Sequence, residues 1–132
     1  MNPRPGEIWL ADLGLAAKTR PVVIVSREDP DSPRSLVLYV PLTTQRRNSP
    51  YEVPLPRLPF LDRESVANVQ GLGSLPTVRF ERKIGRLSAE IMERIKDPLA
   101  FALPYAIVSS TGAPVSHPTV LAADAWFTET SR

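Results

Sequence analysis

Two short segments carry the side chains best suited to handling a phosphodiester. The first is Arg20-Pro21, where an arginine stands between a loop of small residues, Gly14–Thr19, and the wholly apolar run Pro21–Val25. Proline fixes the chain on its C-terminal side, so the guanidinium is held at the mouth of the fold. There it either pairs with Asp12 or Glu7, or presents its planar fork to a phosphate. The second segment, Thr43-Thr44-Gln45-Arg46-Arg47, ends an apolar run with two hydroxyls, an amide and two guanidinium groups. These are compact donors for phosphate oxygens and base edges, and they equally suit a polar turn with a solvated basic pair. A third segment, Asn68-Val69-Gln70-Gly71-Leu72, sets two amides beside a glycine, an arrangement that can read base edges or satisfy a sheet edge. The loop before Arg20 adds Lys18 and Thr19, and its few bulky side chains leave the backbone open to an extended ligand.

Composition removes several other chemistries. The 132-residue chain has no cysteine, which excludes disulfide frameworks, thiol nucleophiles and zinc–thiolate sites. Its single histidine, His117, cannot build a two-histidine metal site. There is no Gly-x-x-x-x-Gly-Lys phosphate loop, no Gly-x-Ser-x-Gly elbow and no acidic cluster of metal-binding type. The net charge is only +2, but 13 of the 16 basic residues are arginine, which favours bidentate phosphate contacts over point-charge ones. No signal peptide is legible after Met1 and no apolar run approaches about 18 residues, so the expectation is a soluble, cytoplasmic protein.

Positioning these residues falls to short elements, because fifteen prolines exclude long helices over most of the chain. Strands are expected at Ile8–Leu13, Val22–Ser26 and Leu36–Val40, where aliphatic and β-branched runs are bounded by turn residues. Tyr51-Glu52-Val53 meets prolines and reads as an edge or a loop. Two more strands are expected at Ser65–Gln70 and Val78–Leu87, with Gly71-Leu72-Gly73-Ser74 as the turn between them. In the second, alternation sets Arg79, Glu81 and Lys83 on one face and Phe80 and Arg82 on the other, as a solvated self-neutralising face or a basic ridge for RNA. Ser88 can cap a helix whose apolar stripe runs through Ile91, Ile95, Leu99 and Ala102. Pro98 is expected to end or kink it near Asp97, after about ten residues. The expected architecture is one mainly β (α+β) domain at 1–103, a small antiparallel barrel or strongly bent sheet with a C-terminal helix, followed by a tail at 104–132 in which 109–114 reads as a linker and Trp126-Phe127 as a docking element.

The order of these segments resembles the PemK/MazF family of toxins of type II toxin–antitoxin systems. The resemblance rests on Gly6-Glu7-Ile8-Trp9 with Asp12, Arg20-Pro21 before an apolar strand, Pro41-Leu42-Thr43-Thr44-Gln45, Tyr51-Glu52-Val53, Gln70 with Gly85 fifteen residues on, and the Leu87-Ser88 helix start, over residues 4–103. It implies an SH3-like β-barrel, a homodimer, and an endoribonuclease that cuts single-stranded RNA at short sequences with no metal or cofactor. It also implies a cognate antitoxin whose flexible acidic segment lies over the RNA groove, with operator DNA bound only through that complex. By the same resemblance Arg20 and Thr43 are the catalytic pair; Lys18, Thr19, Thr44, Gln45, Arg46, Arg47, Asn68 and Gln70, the donors of the segments above, are the expected substrate-binding residues. The implied reaction is attack by the RNA 2′-hydroxyl on the adjacent phosphorus, leaving a 2′,3′-cyclic phosphate and a 5′-hydroxyl. Two departures stand out: Val69 occupies a position that is acidic in some relatives, and the loop before Arg20 is shorter than in many and carries Lys18 instead of an acid. Two other readings stay open, a nucleic-acid-binding barrel that does not cleave and a toxin that blocks a protein target such as a topoisomerase.

Overall fold

Apolar runs between turn residues become strands in the computed structural model, which describes residues 2–14 and 19–105. The strands are β1 (Glu7–Ala11), β2 (Arg20–Ile24), β3 (Leu36–Thr43), β4 (Glu52–Pro54), β5 (Val66–Asn68), β6 (Gly73–Pro76) and β7 (Phe80–Arg86), and one helix, α1 (Ala89–Ala102), follows. All ladders are antiparallel and the order is β4-β5-β3-β2-β1-β7, with β6 also paired to β3. The longest strand, β3, organises the rest. One edge carries β2, while the other carries β6 along Leu36–Tyr39 and β5 along Leu42–Thr43, so the sheet bends where β5 takes over from β6. Among the described residues no ladder joins β4 to β7, so the bent sheet is open along that seam.

Alternation along β1, β2 and β3 sends side chains to two separate cores. Ile8, Val23, Val40 and Leu42 face α1 and pack with Leu87, Ile91 and Ile95. Trp9, Ala11, Val22, Ile24 and Val37 face the other way and pack with Phe80, flanked by Tyr39 and Leu75. Burial on both faces explains why Pro21–Val25 is a continuous apolar run. Ser88 caps α1 through its hydroxyl, which accepts from the Ile91 amide at 3.3 Å. Among the described residues no helix is long and apolar enough to cross a membrane.

Three local expectations are corrected. Gly71–Ser74 is not simply a turn: Val69–Gly71 forms a short 3-10 turn and Gly73 opens β6, which pairs with β3. Tertiary pairing overrides the breaker residues here, because the unpaired edge of β3 supplies partners for the backbone of 73–76. Pro98 does not end α1, which runs fourteen residues to Ala102. An interior proline costs about 3 kcal/mol. Against that, Pro98 and Ala100 are buried and the Phe101 ring meets Tyr51 edge-on at 5.3 Å, so apolar burial in the last turn offsets the lost backbone bond. Finally, β7 does not alternate regularly. Its register against β1 shifts twice, between Ile8/Trp9 and Leu10/Ala11, so that Phe80 lies opposite Ala11 and Lys83 opposite Trp9. Phe80 and Lys83 therefore share the Trp9 face, and Arg82, opposite Leu10, goes to the other.

Candidate functional site

Strand register brings the first two segments together. β2 begins at Arg20, opposite Ala11 of β1. On its other side β2 pairs with β3 through Val22↔Pro41, Val23↔Val40 and Ile24↔Tyr39. Carried two residues further, this register sets Thr43, the last residue of β3, opposite Arg20. Both lie on the sheet face that carries Trp9, Val22 and Val37, at the end of that apolar row. Val66 of β5 lies opposite Thr43, and the same ladder continued one step sets Asn68 beside Pro41, on this face too. The Asn68 side-chain oxygen accepts from the Gln70 amide at 3.2 Å, which aims its NH₂ group away from the turn and leaves Gln70 exposed at the start of the next loop. Gly71 closes this corner, because a Cβ there would stand 2.5 Å from Pro41 Cγ.

The electrostatics of the neighbourhood decide what Arg20 can do. Asp12 is held by Arg79, with Nη1 to Oδ2 at 3.4 Å, and its other oxygen accepts from the Gly14 amide at 2.9 Å. Glu7 is nearly buried and accepts from the Trp9 indole at 3.0 Å, the Arg4 amide at 2.9 Å and Lys83 Nζ at 2.9 Å. Burial pushes its carboxyl up, but the hydrogen bonds from Lys83, Trp9 and Arg4, with the Lys83 charge, outweigh it and hold the group below its usual 4.5. Both carboxylates that sequence offered as partners for Arg20 are thus committed to other cations. Arg20 is exposed, and among the described residues its guanidinium has no ion-pair or hydrogen-bond partner.

Thr43 is half-buried, and its hydroxyl oxygen accepts from the Gln45 amide at 3.1 Å. With a lone pair so engaged, its proton is free to be donated outward. The following loop is tied down internally: the Glu52 carboxylate accepts from the Arg47 amide at 3.0 Å, Arg46 Nε donates to Asn48 Oδ1 at 2.9 Å, and Arg47 donates to Gln45 Oε1 at 3.4 Å. Asn48 adopts φ 54°, a left-handed turn that asparagine tolerates. Gln45, Arg46 and Arg47 are exposed along this rim. Thr44 departs from the group: it lines a cavity on the other side of the sheet with Leu10 and Pro21. Thr19 is half-buried beside Arg20, while Lys18 lies outside the described residues, as do His117, Trp126, Phe127 and the linker at 109–114. Among the described residues no three acidic or histidine side chains gather as a metal site.

Sequence reasoning missed three participants. Arg79 and Lys83 neutralise Asp12 and Glu7, the two carboxylates that could have paired with Arg20, and Glu52 shapes the basic rim. The charge alternation at 79–83 was the available signal, but its partners depend on the register shifts in β7.

The chain matches the model of the PemK-like, MazF-like toxin of type II toxin–antitoxin systems over residues 4–103. Among solved structures it is similar to an endoribonuclease from a Mycobacterial species in complex with its cognate antitoxin, at 26% identity and TM-score 0.68, covering 80% of this chain and 99% of that one. It is similar to the Mycobacterium tuberculosis toxin MazF-mt6 at 29% identity and TM-score 0.65, covering 74% of this chain and 95% of that one. MazF from Deinococcus radiodurans, at 22% identity and TM-score 0.64 over 78% of this chain and 97% of that one, shares the fold.

Proposed function

The chain belongs to the PemK-like, MazF-like toxin family of type II toxin–antitoxin systems, and from that premise we propose that it is an endoribonuclease that cleaves single-stranded RNA at the ends of β2 and β3. The observation that carries this reading is the guanidinium of Arg20, without an ion-pair or hydrogen-bond partner among the described residues, at the register position opposite Thr43, with Asp12 near it already paired to Arg79. An arginine with no partner among the described residues is available to an external anion, and the scissile phosphate is one.

The RNA supplies its own nucleophile. Its 2′-hydroxyl gives up its proton to solvent as the oxygen bonds to the adjacent phosphorus, the bond to the 5′-oxygen breaks and that oxygen takes a proton from solvent to leave as a 5′-hydroxyl, while charge builds on the non-bridging oxygens. Arg20 balances that charge and the Thr43 hydroxyl donates a hydrogen bond to one of those oxygens, keeping its proton, a task that preorganised donors perform without reorganisation in the transition state. Arginine's pKa above about 12 makes it a poor general base, so its role is electrostatic. Asn68 and Gln70 offer amides to base edges, and Thr19, Gln45, Arg46 and Arg47 offer donors to flanking phosphates. The donor set of guanidinium, hydroxyl and amide acts without a metal. A homodimer and a cognate antitoxin with an acidic segment complete the proposal, the latter supported by the antitoxin complex of the similar Mycobacterial endoribonuclease.

The test is incubation of the full chain with single-stranded RNA in EDTA, followed by end-group sequencing. The expected products carry 2′,3′-cyclic phosphate and 5′-hydroxyl ends at a recurring short sequence. Intact RNA, or cleavage undiminished in both Arg20→Ala and Thr43→Ala, would overturn it.

A further inference from the structure

Within the charged run 79–83, the cations part company. Arg79 and Lys83 are ion-paired, whereas Arg82, turned to the opposite face by the register shifts in β7, is exposed and has no ion-pair partner among the described residues. It lines a cavity of about 350 Å³ together with Arg63, a second exposed cation without an ion-pair partner among the described residues. The cavity shares a wall with the Arg20 site, because Pro21 and Thr44, the residues that follow Arg20 and Thr43, both line it. The two lie on opposite faces of the sheet, so an RNA strand reaching from the Arg20–Thr43 pair to the cavity turns over the ends of β2 and β3.

Its interior combines three kinds of surface. Phe60 rests on the backbone of β7 at Gly85, where a Cβ would come within 2.4 Å of the ring, and it is only partly buried. Ser65 is buried, and its hydroxyl donates to the Arg63 carbonyl at 3.3 Å, which leaves its lone pairs free. Asp62 contributes an exposed carboxylate, so the two arginines leave a net positive charge.

We propose that this cavity is a second nucleotide subsite, holding the nucleotide next to the one being cut. It rests on the endoribonuclease reading above. The base stacks on Phe60, the phosphate is met by Arg82 and Arg63, and the Asp62 and Ser65 oxygens accept from an exocyclic amine. Aromatic stacking supplies affinity because every base has a π-face, and each guanidinium that meets a phosphate adds a salt-sensitive contact. The subsite is thus a determinant of which residue may flank the cleaved bond, built from the loop between β4 and β5 and from β7.

The experiment measures binding of the full chain to a short single-stranded RNA of mixed sequence carrying 2′-deoxyribose throughout its cleavable positions, alongside cleavage of the all-ribose RNA. Arg82→Gln is expected to weaken binding about tenfold and to lower the salt slope by about one. Phe60→Leu, which keeps an apolar side chain on Gly85, is expected to weaken binding by a similar factor. Both shift the base preferred beside the cut. Binding within twofold of the unmodified chain for both variants, with cleavage and sequence preference unchanged, overturns the subsite and leaves the nuclease reading standing. An unmodified chain that binds RNA without cutting it, with binding weakened by both variants, overturns the nuclease reading and supports the cavity only as a nucleotide-binding site, not as one that flanks a cut. No binding to RNA by the unmodified chain overturns both.

Discussion

Arg79 Nη1 lies 3.4 Å from Asp12 Oδ2, and this contact occupies the carboxylate next to Ala11, the residue opposite Arg20 in the β1–β2 ladder. The pair is about half exposed, so its contribution to stability is small, about 0–1 kcal/mol. Its consequence is electrostatic: Asp12 is prevented from neutralising Arg20.

Removing that restraint is expected to show in activity more than in stability. Arg79→Ala frees Asp12 to pair with Arg20, and kcat/KM should fall several-fold while thermal stability changes little. Adding Asp12→Ala to Arg79→Ala should recover much of the loss, since the competing carboxylate is then gone. A double variant no better than the single one would contradict this role.

Arg20→Ala and Thr43→Ala should each lower kcat by about a hundred- to a thousandfold, the usual cost of deleting a transition-state donor. Both residues sit at strand ends, Arg20 exposed and Thr43 half-buried, so far-ultraviolet circular dichroism and the unfolding midpoint should hold. Arg20→Lys should recover part of the activity, because charge returns without the fork.

Acid stability should depend on Glu7. Its carboxyl is held below the usual value in the folded state, so the stabilisation it provides is complete above about 4.5 and is lost as pH falls through the depressed folded pKa. Glu7→Gln should cost about 2 kcal/mol at pH 7, by depriving Lys83 of its partner and leaving the Trp9 and Arg4 donors with a weaker acceptor. It should also flatten the acid limb of urea-midpoint profiles. Parallel profiles for the two proteins would show that Glu7 is not the group responsible.

Gly71→Ala should cost about 1–3 kcal/mol, as overpacking does, because the new methyl would meet the Pro41 ring at 2.5 Å. The 3-10 turn must then move, taking the Gln70 amide with it. Differential scanning calorimetry gives the stability, and end sequencing should show a relaxed base preference at the cut.

Short-range chemistry was legible in the sequence. β-branched runs between prolines and glycines marked β1, β2 and β3, the Ser88 hydroxyl marked the start of α1, and Arg20-Pro21 and Thr43–Arg47 stood out as donor-rich strand ends. Each depends on residues a few positions apart, and local propensity and side-chain capping act over that distance. Pairings across the sheet were not legible. Asp12 takes Arg79 rather than Arg20, Lys83 joins the Trp9 face, and Arg82 faces the Phe60 cavity, all because β7 slips twice against β1. A one-residue slip moves every later side chain to the opposite face, and packing across the whole sheet selects the register, so no local pattern encodes it. The same holds for Pro98, whose helical cost is offset only once Phe101 meets Tyr51 from a distant strand end. Sequence alone determined which residues stand at the strand ends; tertiary structure decided which charges there remain free, because neutralisation requires a partner brought in from elsewhere in the chain.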